Sequence, residues 1–210
     1  MRRSFALVRP VVAAVTLTVG GVALTAVAVA APAPAAPSVP ATATPAAPSV
    51  PATPVDRARA ALAPFKASLR TTLLQGLEQG PVPAIEACAV AAPALAAAAN
   101  AGGGGVTVGR TALKLRNPQN TAPAWVAGPL AELAAAPPKE GDHRVVALPG
   151  GGTGYVETIL TGEPCVKCHG GTISPEITSL LAKRYPEDAA RGFALGSFRG
   201  VFWAEVAPPR

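Results

Sequence analysis

The chain has 210 residues, of which 24 are proline and 21 glycine, while aromatic residues make up only 4%. Its formal net charge is +6, but Arg2, Arg3 and Arg9 account for half of that excess at the amino end. The length suits one domain with additions, and no basic patch interleaved with aromatics points to nucleic acid as a partner.

From Pro10 to Ala31 there is no charge, and the run is rich in Val, Ala and Leu. A basic start, an apolar middle and the small-residue end Ala28-Val29-Ala30 read as a secretory signal peptide. The run also suffices for an uncleaved membrane anchor, which takes about 20 residues. Either reading of segment 1–30 places the rest of the chain outside the cytoplasm, in the periplasm or another extracytoplasmic space. Segment 31–54 is nearly all Ala, Pro, Ser, Thr and Val, and the phrase Ala-Ala-Pro-Ser-Val-Pro-Ala-Thr starts at both Ala35 and Ala46. Such a tract has nothing to build a core from and reads as an extended tether. The functional domain is therefore expected over 55–210.

Leu62, Phe65, Leu69, Leu73 and Leu77 recur at helical spacing, with Pro64 as an expected kink. Residues 84–99 form a second expected helix, with Ile85, Cys88, Ala92 and Leu95 on one face and Gly102 to Gly105 ending it. Strands are expected at 106–112, 143–148, 155–160 and 201–206, the middle two joined as a hairpin through Pro149-Gly150-Gly151-Gly152. Ser174-Pro175-Glu176 opens a helix carrying Ile177, Leu180 and Leu181, which stops by Tyr185-Pro186. The pattern gives a mixed domain with antiparallel strands.

Cys165-Val166-Lys167-Cys168-His169 is a C-x-x-C-H motif. Two thiols one helical turn apart can each form a thioether with a haem vinyl group, and the following imidazole can then ligate the iron. A zinc ribbon would need a second ligand pair, and the chain holds three cysteines in all. A thioredoxin-type site would open a helix in a βαβ setting, whereas His-Gly-Gly follows here. A disulfide across three residues is a strained loop. The reading is one covalent c-type haem, attached through Cys165 and Cys168 and ligated by His169.

For the opposite face of the iron, the only methionine is Met1, which removes the common partner of histidine. His143, in a charged turn entering a strand, and Cys88, on an apolar helix face, remain, with a lysine as a less usual alternative and an open site as another. The default for His143 is a solvated surface side chain, and for Cys88 a small buried hydrophobe.

Several segments resemble a family of exported single-haem c-type proteins whose haem domain has a PAS-like sensor fold. They are Ala84-Ile85-Glu86-Ala87-Cys88, the string from Val108 to Asn120 followed by Ala124-Trp125, the C-x-x-C-H-Gly motif, and Tyr185-Pro186-Glu187-Asp188-Ala189-Ala190 with Gly192-Phe193. The most specific is Arg110-Thr111-Ala112-Leu113-Lys114-Leu115-Arg116-Asn117-Pro118. The resemblance covers most of 57–206. It implies an α+β fold, an antiparallel sheet flanked by helices, and a His/Cys axial pair whose cysteine maps onto Cys88. One departure is Gly196-Ser197-Phe198-Arg199-Gly200, where the family pattern has an acid after the first glycine.

Arg110 and Arg116 are candidates to pair with haem propionates, and Trp125 and Tyr155 to line the haem pocket. For each of the four, ordinary surface exposure or core packing is the competing reading. A redox or small-ligand sensor module is the leading functional expectation, with a redox partner protein or a gaseous ligand as its counterpart. A periplasmic electron carrier is the alternative. A peroxidase-type enzyme would need an open iron and a distal acid–base group, so no catalytic residue is assigned.

Overall fold

The computed structural model describes residues 52–209; the expected signal or anchor segment, and the tether up to residue 51, lie outside the described residues. The described part is α+β, with a four-stranded antiparallel sheet in the order β1-β4-β3-β2. The strands are β1 Val106–Thr111, β2 His143–Ala147, β3 Thr153–Leu160 and β4 Phe198–Val206. The expected hairpin joins β2 to β3, turning at Pro149–Gly151.

Helix α1, Pro54–Gln79, starts earlier than expected. Thr53, the last residue of the second repeat, caps it. The Thr53 hydroxyl accepts the Asp56 N–H at 3.1 Å, and the Asp56 carboxylate accepts the Thr53 N–H at 3.0 Å. This reciprocal pair satisfies two backbone donors that the first helical turn leaves free, so the tether ends two residues sooner than its composition suggests. The helix runs through Pro64 without interruption.

The second expected helix is divided. It comprises α2, Pro81–Glu86, then a π-helical turn over Ala87–Ala91, then α3, Ala92–Asn100. Pro93 gives the reason. It has no N–H to donate, and its ring would press on the carbonyl four residues back. The turn widens instead, and the Ala92 N–H reaches the Ala87 carbonyl, five residues away. Cys88 sits inside this turn.

Alternation along the strands gives the sheet two distinct faces. On one, Val108, Tyr155, Ala204 and Val206 bury against Ala58, Leu62 and Phe65 of α1. On the other, Val156 and Val201 pack on Val126 and on Leu130 and Leu133 of α4, Ala127–Ala135. Composition did not announce α4, because a short stretch of Ala, Gly and Pro with two leucines has little periodicity to read. Two further helices follow β3: α5, Glu163–His169, and α6, Pro175–Arg184. The Ser174 hydroxyl caps α6 by accepting the Ile177 N–H at 3.3 Å, as expected from sequence.

Candidate haem site

The C-x-x-C-H motif forms the whole of α5 after its opening Glu163-Pro164. Proline suits the first turn of a helix, where its missing N–H is not needed. Cys165 and Cys168, three apart, therefore share one helix face, and the three cysteines are free thiols. Gly170 closes the helix. A side chain there would meet the Val166 carbonyl oxygen at 2.5 Å, so the chain can leave α5 along this path only with glycine.

A cavity opens between α5, the end of α1, α2 with the π turn, α6 and the ends of β1, β3 and β4. It encloses about 170 Å³ and opens to solvent at its mouth. Its apolar wall includes Leu73, Ile85, Ile159, Leu181 and Phe202. Cys165, Cys168 and His169 line it, and so does Cys88 from the π turn. Ile85 and Leu181 belong to one buried cluster with Tyr185, and Cys168 packs against it, which ties the Cys88 segment to α5 and α6.

His169 is prepared as a ligand. Its Nδ1–H donates to the Ala190 carbonyl at 2.7 Å, which leaves Nε2 as the free lone pair. Burial first, then the positive charges of Arg116 and Arg199, push its pKa down to about 3. The imidazole is thus neutral across the physiological range, as metal ligation requires. Phe193 packs edge-on against its ring at 6.3 Å. Burial pushes the Cys168 thiol up, only partly offset by the charge of Arg116.

The cavity also gathers cations. Arg110, Arg116 and Arg199 all line it. Arg116 forms a two-pronged pair with Asp188, at 3.1 and 3.0 Å, so the fork expected to grip a propionate is already committed to a protein carboxylate. Among the described residues no carboxylate is paired with Arg110 or Arg199. Burial, then the charges of Arg116 and Arg110, bring Arg199 down to about 10. Arg199 was not singled out from the sequence. The signal was there in Gly196-Ser197-Phe198-Arg199-Gly200, but the missing acid drew attention instead of the arginine.

Two expected pocket residues lie elsewhere. Trp125 is on the α4 face, edge-on to Trp203 at 6.4 Å, with its Nε1–H donating to Glu205 at 3.0 Å. Its ring occupies the space that a side chain at position 154 would fill, within 2.6 Å, which is why glycine stands there. Tyr155 belongs to the α1 core and is 2% exposed, with its hydroxyl accepting from Arg59 Nε at 3.2 Å and donating to Glu157 at 3.1 Å. His143, the other candidate for the sixth ligand, sits on the edge strand β2. Its Nδ1 is 3.0 Å from the Gly141 carbonyl and its ring 5.5 Å from Tyr155, and it does not line the cavity.

The residues fit a covalently held haem. They supply two thiols on one helix face, a neutral imidazole with its far nitrogen anchored, an apolar pocket and uncompensated guanidinium groups for two propionates. Fold and cavity define an α+β domain organised around a C-x-x-C-H helix. The chain belongs to the Tll0287-like family, whose model matches residues 38–207. Among solved structures it is similar to one described as the cyanobacterial heme-protein Tll0287, with a TM-score of 0.52 and 20% identity over 71% of this chain and 94% of that one. At that identity the likeness speaks for the fold. No curated protein matches the chain.

Proposed function

We propose that the domain carries one haem, attached through Cys165 and Cys168, with His169 and Cys88 as its axial ligands, and serves outside the cytoplasm as a redox- or ligand-responsive module. The observation that carries this reading is convergence. Cys88, far from α5 in sequence, reaches the same cavity as Cys165, Cys168 and His169, while His143 does not. Membership of a family with a heme-protein among its structural neighbours supports it. The four-stranded antiparallel sheet with helices on both faces supports the PAS-like reading of the fold.

Haem, when bound, supplies a one-electron couple and an iron coordination site. The chain decides how these are used. His169 presents Nε2, and Ala190 holds the ring in place. Cys88, as a thiolate, favours ferric iron and lowers the potential. The iron would supply affinity for carbon monoxide or nitric oxide, with Cys88 as the chain's own group at that position. Arg110 and Arg199 hold the propionates. A partner protein reads the change.

Optical spectra of Cys88→Ala, oxidised, reduced and reduced with carbon monoxide, test the ligand set. The variant should lose the thiolate-type ferric spectrum and bind carbon monoxide faster when reduced. An unchanged ferric spectrum would remove Cys88 from the iron. An electron carrier is the second reading, favoured by the half-buried state of Cys165 and Cys168, which leaves that edge of the site near solvent. Rapid reversible reduction of the wild type with no change of ligand would select it.

A further inference from the structure

The string 110–116 and the segment 185–193 carry much of the sequence resemblance, yet neither contributes a thiol or an iron-facing imidazole. Folding brings them together. Arg116 lies in the loop after β1, and Asp188 in the turn after α6. Nε of Arg116 donates to Oδ1 at 3.1 Å and Nη2 donates to Oδ2 at 3.0 Å, with the side chains 8% and 1% exposed. The same Nη2 donates to the Cys168 carbonyl at 2.6 Å, and because it has only two hydrogens its longer contact to the Ala190 carbonyl, 3.3 Å, is a shared three-centre one. The Ala190 carbonyl is also the acceptor for His169 Nδ1–H, at 2.7 Å, and the Ala190 N–H donates back to Asp188 at 2.9 Å. Tyr185, from the same segment, lies under the guanidinium, 6.0 Å from ring centre to Cζ. One guanidinium therefore grips the last turn of α5 and the very oxygen that orients its histidine. Well-packed apolar residues often replace a buried ion pair without loss of stability, so packing alone does not account for this one.

We propose that Arg116, braced by Asp188, is a positioning residue that raises the reduction potential of the iron through the Ala190 carbonyl it shares with His169. The inference rests on the haem reading above and deepens it. A carbonyl that serves two donors is a weaker acceptor for each. A weaker Nδ1–H···O bond makes Nε2 a poorer donor and so favours ferrous iron. The nearby positive charge acts in the same direction. Removing the guanidinium should shift the balance toward ferric iron.

Potentiometry of the haem-loaded chain tests this in Arg116→Met, Arg116→Lys and the double variant Arg116→Met with Asp188→Leu, with thermal melts to establish folding. At a fixed applied potential, Arg116→Met should raise the ferric-to-ferrous ratio at least tenfold, about 59 mV for a one-electron couple. The double variant leaves net charge unchanged, so its shift, severalfold in the same direction, reports the hydrogen bonds at Ala190 rather than the charge. It also carries the test if the single variant does not fold. Arg116→Lys keeps the charge but not the fork, and should recover most but not all of the wild-type ratio. Folded, haem-loaded variants that stay within twofold of wild type would overturn the proposal. A wild-type chain whose mass shows no haem would instead overturn the haem reading itself.

Discussion

On the α4 face of the sheet, Val126, Leu130, Leu133, Val156 and Val201 bury carbon against carbon, and the indole of Trp125 reaches outward to Glu205 for its hydrogen bond. On the α1 face the inner surface is mixed. Tyr155 is held by Arg59 and Glu157, Glu157 pairs with Lys66, and further along the sheet the apolar cavity is ringed by Arg110, Arg116 and Arg199. The difference shows where this small domain spends its polar groups. The α4 face is closed mainly by apolar packing, with the buried Trp203 N–H as its unpartnered polar group. The other face pairs its charges near the surface and leaves Arg110 and Arg199 without a carboxylate around one cavity.

If the two faces divide stability from chemistry, replacing both Cys165 and Cys168 with serine gives the largest effect. The denatured chain should carry no haem mass at all, while the α4 face stays packed. Any remaining covalent haem would show that attachment lies elsewhere. The converse variant is Leu133→Ala. Leu133 is 2% exposed, and such truncations cost about 2–5 kcal/mol. Denaturant melts should show that loss with the haem spectrum unmoved, and a shifted spectrum would break the division between the faces.

A smaller effect sharpens the comparison through pH. Burial favours protonation of Asp188, but the hydrogen bonds from Arg116, Arg191 and the Ala190 N–H outweigh it and hold the carboxyl below its ordinary 3.8. A carboxyl lowered in the folded state stabilises it above that ordinary value, and the contribution is lost as pH falls through the folded-state pKa. The wild-type melting temperature should therefore fall more steeply below about pH 4 than that of Asp188→Asn. Parallel curves would mean that Asp188 is not the group that senses acid.

Much of the fold was legible because it follows local rules. Tyr155 to Leu160 and Val201 to Val206 are rich in β-branched and aromatic residues, Ser174-Pro175-Glu176 caps a helix, and the glycine turn after Pro149 closes a hairpin. Each of these rests on neighbours in sequence. Thr53 was read as tether because composition does not reveal a capping box that spans Thr53 to Asp56. The helix over 84–99 was read as continuous because the effect of Pro93 is on backbone hydrogen bonding, not on periodicity. Trp125 and Tyr155 stood open between pocket and core because an aromatic side chain looks the same in sequence whether it packs against haem or against a glycine.

The spacing of Cys165, Cys168 and His169 by itself specified thiols on one face of a short helix and an imidazole beside them, since helix geometry sets those relations within a single turn. It also left Cys88 and His143 as the open alternatives. The family resemblance pointed to Cys88, and the tertiary structure adds that Cys88 lines the cavity while His143 does not, because whether a side chain reaches a cavity depends on long-range packing. The same holds for the arginines. Arg110, Arg116 and Arg199 are equivalent charges in sequence, and the distinction arises where Asp188, brought in by the turn after α6, meets Arg116 and leaves the other two facing the cavity.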